Sequence, residues 1–214
     1  MKRGDRYDAS DLPEAQFEPR SNGQVLKNRL GITSKQEMDD AEAVALEKTM
    51  DELVRKYGET HRFTAADIRE CHQAWLGDIY EWAGRYRQVN ISKEDFPFAA
   101  AAQIPSLMEQ FERDVLRRCT PCSFADRTDV IRALGEAHVE LVLIHPFREG
   151  NGRLARVLST LMALQAGLPL LNFSGVAGGK KKEYVAAVQA GLDKNYRPME
   201  KLFSEIIERS RETS

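Results

Sequence analysis

Apolar side chains recur at helical spacing through most of the chain. Met38, Ala41, Ala45, Leu46, Met50, Leu53 and Val54 fall on one face of a 3.6-residue repeat, and Ser34 with Glu37 reads as a capping box at its start. A second stripe, through Ile68, Cys71, Trp75, Leu76 and Ile79, predicts a helix over 64–82 with Gly84 as its stop; it reads as core. A third helix is expected over 101–118, ending before Pro121. A fourth is expected over 126–144, with Val130, Ile131, Leu134, Leu141 and Val142 inward. Pro146 disfavours helical geometry at His145 and should end it there. A fifth starts near Gly152 and runs to Gly167, and two more cover 180–192 and 198–211. Only 86–98 reads otherwise: Val89, Ile91 and the Phe96-Pro97-Phe98 cluster predict a short hairpin or extended flap. The expected fold class is all-α, a bundle of about seven helices with a short β-hairpin flap. Residues 1–22 are polar, hold Pro13 and Pro19, and predict an extended or poorly ordered arm; 23–214 form one domain.

Charge and cysteine usage narrow the partners. With 31 basic and 33 acidic residues the net charge is -2, so no global field favours nucleic acid or an anionic membrane, and any anion site must be local. The longest apolar runs, at 141–144 and 168–171, fall far short of the roughly 20 residues of a membrane span. The charged start lacks the apolar core of a secretory signal, so cytoplasmic residence is expected. Cys71, Cys119 and Cys122 make an odd count, against a disulfide framework. Cys119 and Cys122 have redox spacing, but they follow a helical pattern where thioredoxin-like sites follow a strand.

The chemistry concentrates between the fourth and fifth helices, in His145-Pro146-Phe147-Arg148-Glu149-Gly150-Asn151-Gly152-Arg153-Leu154-Ala155-Arg156. Gly150 and Gly152 let amide N–H groups approach a ligand, and the following helix presents its positive end to the same spot. Arg153 and Arg156 sit in its first turns, where cations are unfavourable without an anion; their forks suit phosphate oxygens, and Asn151 adds an amide donor. Glu149 is a hard oxygen ligand suited to Mg²⁺, and His145 accepts a proton near neutral pH as a general base must. Phe147, with no acid-base capacity, reads as a buried anchor. Together these residues make a site for phosphoryl-type transfer by positioning and electrostatics.

This segment resembles, at every position, the signature of Fic-domain (Fic/Doc) proteins, His-x-Phe-x-Asp/Glu-Gly-Asn-Gly-Arg-x-x-Arg. The likeness extends to residues 28–33, 79–87 and 90–98 and covers about 25–205. The resemblance implies a protein adenylyltransferase: His145 deprotonates a Ser, Thr or Tyr hydroxyl of a target protein, whose oxygen attacks the α-phosphate of ATP. By the same resemblance Glu149 holds Mg²⁺, Gly150, Asn151 and Gly152 cradle the phosphates, and Arg153 and Arg156 bind the β- and γ-phosphates. The flap residues Ile91, Ser92, Lys93, Glu94, Asp95, Phe96, Pro97 and Phe98 lay the target alongside by main-chain pairing. The phosphorylating Doc branch replaces the Gly-Arg part that Gly152-Arg153 keeps here. A bacterial toxin or effector is the expected setting; a donor carrying UMP or phosphocholine, or a silent binding module, are the alternatives.

Many such proteins are inhibited through Ser/Thr-x-x-x-Glu followed by Gly or Asn. Thr33 to Glu37 and Ser204 to Glu208 match except at the last position, where Met38 and Arg209 stand. A separate small antitoxin protein is the other route. Residues 175–180 are one short of a P-loop and lack its hydroxyl, and Lys180 to Lys182 read as a solvated face. His138 reads as a satisfied histidine; His61 and His72 show no partner pattern.

Overall fold

In the computed structural model, residues 12–93, 96–177 and 179–212 are described; the first eleven residues of the expected arm, and Glu94 and Asp95 of the flap, lie outside them. Among the described residues the chain forms eight helices and one two-stranded hairpin, in the order α1 (Lys35–Lys56), α2 (Ala65–Leu76), β1 (Ser92–Lys93), β2 (Phe96–Pro97), α3 (Ile104–Phe111), α4 (Arg127–Ile144), α5 (Asn151–Gln165), α6 (Ser174–Ala177), α7 (Lys181–Ala190) and α8 (Arg197–Glu212). The all-α expectation with a β-hairpin flap holds. The one helix beyond the expected seven is α6, a single turn too short to leave a period in the sequence.

Helix α4 lies at the centre, packed on α5 and α8, and its Leu134 and Leu141 are fully buried with Met162 and Phe203. A second apolar cluster joins Met38 of α1 to Trp75, Leu76, Tyr80 and Trp82. Helix α3 continues through a π-turn, Glu112–Leu116, into Arg117–Cys119, close to the expected single helix. The hairpin is antiparallel, with Ser92 opposite Pro97 and Lys93 opposite Phe96.

Three local expectations change. Helix α2 stops at Leu76, and 77–85 form turns that bury Tyr80 and Trp82, their rings stacked 4.5 Å apart. Tertiary burial of these aromatics outweighs continued helix. On α1 the buried residues are Met38, Glu42, Thr49 and Leu53, whereas Val54 is exposed. At Ser34 only half of the expected capping box forms: its hydroxyl accepts from Glu37 N at 3.4 Å. The complete box is at Thr64, whose hydroxyl accepts from Asp67 N at 3.1 Å while Asp67 Oδ2 accepts from Thr64 N at 2.8 Å.

The described part of the arm is not loose. Pro13–Ala15 make a 3₁₀ turn, Phe17 bridges to Leu26, and Glu14 and Ser21 are buried.

Caps of this kind contribute about 0.5–2 kcal/mol. Thr64→Ala should therefore lower unfolding free energy by about 1 kcal/mol or more, and Ser34→Ala by less than half of that, in urea unfolding.

Candidate active site

Helix α4 ends on His145, whose backbone is left-handed (φ 52°, ψ 59°) with its N–H still bonded to Leu141 O at 3.1 Å. Pro146 forbids another helical turn, and a β-carbon-bearing residue in this conformation has to be held by its surroundings. Arg87 holds it: its Nε donates to His145 O at 2.8 Å. His145 Nδ1 donates to Val142 O at 2.9 Å, which leaves Nε2 as the lone-pair nitrogen. Burial pulls His145 down to about 4, the Val142 carbonyl opposing the shift, so the ring is neutral at pH 7. Phe98 of the flap stacks on it, ring centres 3.6 Å apart.

Phe147 is fully buried, as expected of an anchor, and stacks on His72 at 3.9 Å. The amide of Asn151 is engaged by the loop itself: Oδ1 accepts from Phe147 N and Nδ2 donates to Phe147 O, both at 2.8 Å. The expected side-chain phosphate donor is thus a brace, because its 2% exposure leaves it facing loop backbone. Gly150 caps α5 with φ 84°, and a Cβ there would come within 2.8 Å of the Trp75 ring. Only glycine meets both demands.

Arg153 donates to Glu42 Oε2 at 2.5 Å and to Glu149 Oε1 at 3.4 Å, and its guanidinium lies 4.8 Å from the Trp75 ring centre. Glu42 in turn accepts from the Tyr80 hydroxyl at 2.6 Å. The unfavourable cation at a helix N-terminus is therefore met by carboxylates within the protein. Arg156 lies 6.0 Å from the Phe173 ring, and its Nε is buried without a hydrogen-bond partner, a donor that a phosphate oxygen would satisfy. Glu149 is half exposed; its Oε1 also accepts from Gly150 N at 2.9 Å.

His145, Glu149, Gly150 to Arg153 and Arg156 share one cavity of about 690 Å³. Ile91, Ser92, Lys93, Phe96 and Phe98 form its flap side, and Lys181, Tyr184 and Val188 of α7 line it as well. The cavity is of a size suited to a nucleotide. Among the described residues no group of three or more His, Cys, Asp or Glu could hold a metal, so Glu149 would bind Mg²⁺ only together with phosphate oxygens.

Sequence reasoning missed Glu42, His72 and Arg87. Glu42 lies four residues from both Met38 and Leu46, a carboxylate inside an apolar stripe, and that was its signal. His72 is buried; its Nδ1 accepts from Gly84 N at 2.9 Å and its Nε2 donates to Glu149 O at 3.1 Å, so it supports the loop beneath the cavity. Nothing in its spacing announced this. His138 is a satisfied core histidine, bonded to Ser159 and Tyr184. Lys180 pairs with Glu205, while Lys181 borders the cavity. Neither proposed inhibitory glutamate is paired with a motif arginine: Glu208 pairs with Arg127, and Glu37 is exposed in the first turn of α1.

The sequence profile of the Fic/DOC family matches residues 62–163. Fic of Salmonella typhimurium, named a probable protein adenylyltransferase, is 30% identical over 194 residues, 88% of this chain and 90% of that one. The chain belongs to the Fic/DOC family. Protein adenylyltransferase VbhT of Bartonella schoenbuchensis is 32% identical over 143 residues, 67% of this chain but only 30% of that longer protein. The N-terminal Fic domain of a VirB-translocated Bep effector from Bartonella quintana, solved with bound ADP, superposes with a TM-score of 0.68 at 26% identity, covering 85% of this chain and 89% of that one. The helical bundle and its hairpin are thus the Fic fold. The enzyme class is that of the relatives, protein adenylyltransferase, a nucleotidyltransferase activity.

Two outcomes follow from the buried groups. Glu42→Ala leaves Arg153 and Tyr80 without their carboxylate, and a broken buried pair costs on the order of 3 kcal/mol; the unfolding midpoint in urea should drop accordingly, and affinity for AMPPNP should fall. His72 and His145 are pulled to about 4 and His138 to about 3 by burial, from 6.5 when unfolded. The unfolded chain therefore binds more protons below pH 6.5. The stability these neutral rings contribute is intact above that pH and is lost toward pH 4. Thermal melts at pH 7.5 and 4.5 check the sign: Tm should be lower at 4.5.

Proposed function

We propose that the protein transfers AMP from ATP to a Ser, Thr or Tyr hydroxyl of a target protein, with His145 as general base. The observation that carries this reading is a neutral histidine with Nε2 free of a proton, in one cavity with Arg153, Arg156 and the N-terminus of α5. His145 Nε2 takes the hydroxyl proton, the oxygen attacks the α-phosphorus, the bond to the bridging oxygen of the β-phosphate breaks, and pyrophosphate leaves. Backbone N–H groups of the first turn of α5 and the two arginines bind the phosphates and the charge that develops. Mg²⁺, held by Glu149 and the phosphates, would neutralise part of that charge.

The flap, residues 91–98, is proposed to pair with the main chain of the target and present its hydroxyl to His145. Gly152-Arg153 supports adenylylation over Doc-type phosphorylation. The setting proposed is a bacterial toxin or effector acting in the cytoplasm of the producing or a recipient cell; similarity to a VirB-translocated effector supports delivery. No helix of the described residues is long and apolar enough to cross a membrane. Inhibition is proposed to come from a separate antitoxin: Arg153 and Arg156 border a second hollow, of about 280 Å³, with Leu46, Met50 and Leu170.

Incubation with a bacterial lysate, Mg²⁺ and ATP labelled at the α-phosphate should label a protein band, and His145→Ala should slow labelling about 10²–10⁴-fold. Label from the γ-phosphate instead would mean phosphorylation, and label only from UTP or a phosphocholine donor would replace the nucleotide. Because His145 is neutral down to about pH 4, the initial rate should not fall with a midpoint near 6.5 as pH is lowered.

A further inference from the structure

The turn at Pro13–Ala15 touches both the flap and the catalytic loop without lining the cavity. Glu14 is 5% exposed, and a single carboxylate oxygen, Oε1, accepts from Gln88 N at 2.6 Å and Val89 N at 3.1 Å, the two amides that lead into the flap. Its own carbonyl accepts from Arg148 Nε at 2.9 Å, and the Arg148 guanidinium lies 6.0 Å from the Phe17 ring centre. One residue thus grips the segment leading into the flap by its side chain and the catalytic loop by its backbone.

Arg87 completes the connection. It is 1% exposed, and its guanidinium donates to three carbonyls: Nε to His145 at 2.8 Å, Nη1 to Val89 at 2.7 Å and Nη2 to Ala99 at 2.6 Å. Its backbone N–H donates to Pro146 O at 2.9 Å. The two ends of the flap and the carbonyl of the base are therefore bonded to one cation, and burial of that cation lowers its pKa while Glu14 opposes the shift. A buried guanidinium satisfied by carbonyls alone is costly unless a negative charge stands near. Glu14 provides that charge together with the acceptor for Gln88 and Val89.

We propose that Glu14 is a positioning residue for transfer: with Arg87 it fixes the flap relative to His145, and so aligns the target hydroxyl without contributing to nucleotide binding. The transfer part rests on the adenylylation reading; the flap-holding part does not. The groups proposed to bind phosphate belong to α5 and the Gly150 turn, and the groups Glu14 bonds through its carboxylate belong to the segment that leads into the flap. Losing Glu14 should leave the first intact and loosen the second. Misplacement of a reacting group by about 1 Å can cost about 10²-fold in rate.

The test uses the full chain as wild type, Glu14→Ala and Glu14→Gln, with Glu18→Ala as a control that removes the bond from Asn28 N to Glu18 in the same segment. Amide hydrogen exchange, the Kd of AMPPNP and the rate of α-labelled AMP transfer to lysate protein are measured for each. Glu14→Ala is expected to speed exchange at 88–99 about tenfold or more, to slow transfer about tenfold or more, and to leave the AMPPNP Kd within about twofold. Glu14→Gln keeps the Oε1 acceptor but loses the charge beside Arg87, so it should fall between wild type and Glu14→Ala in both, and Glu18→Ala should change neither. Unchanged exchange at 88–99 in Glu14→Ala overturns the proposal, as does weakening of AMPPNP in step with transfer, or a Gln variant as impaired as Ala. A wild type that transfers no label refutes adenylylation itself; exchange at 88–99 and AMPPNP binding then decide the flap-holding role, upheld by faster exchange with unchanged Kd and overturned otherwise.

Discussion

The reversal of the chain between α4 and α5 is the constraint from which the site follows. Within six residues the backbone turns left-handed twice, at His145 and at Gly150, so that one helix ends and another begins facing the same cavity. The first of these conformations is unfavourable for histidine and persists because Arg87 holds its carbonyl and Val142 its ring. The second needs glycine because Trp75 lies against it. Phe147, stacked on His72 and braced by Asn151, fills the space beneath the turn. The nitrogen proposed as general base and the helix end proposed to bind the phosphates are products of one packed reversal.

Electrostatics then divide the labour between the arginines. Arg153 is held by Glu42 and Glu149 and rests on Trp75, so its position is set before any ligand arrives. Arg156 keeps a buried Nε without a hydrogen-bond partner, a donor proposed to meet a phosphate oxygen. Preorganised donors of this sort lose little reorganisation energy on meeting phosphate.

Burial serves chemistry as well as stability. The same desolvation that lowers the pKa of His72 and His138 within the protein lowers that of His145 at the cavity, where a neutral ring is what a base requires. The flap adds to this burial by stacking Phe98 on His145, so the element proposed to receive the target also covers the proposed base.

Much of this was legible in the chain itself. The helical periods, the stop at Pro146, the hairpin at the Phe96-Pro97-Phe98 cluster and the twelve-residue motif are local patterns, set by backbone sterics and residue spacing, and local physics needs no fold to be read. The length of α2, the burial of Glu42 and His72 and the order of the arm were decided by contacts across the chain. Tyr80 and Glu42 are 38 residues apart, His72 and Glu149 77, and Glu14 and Gln88 74. A buried carboxylate or imidazole is identified by the partner that satisfies it, and sequence spacing carries no record of partners that only folding brings together.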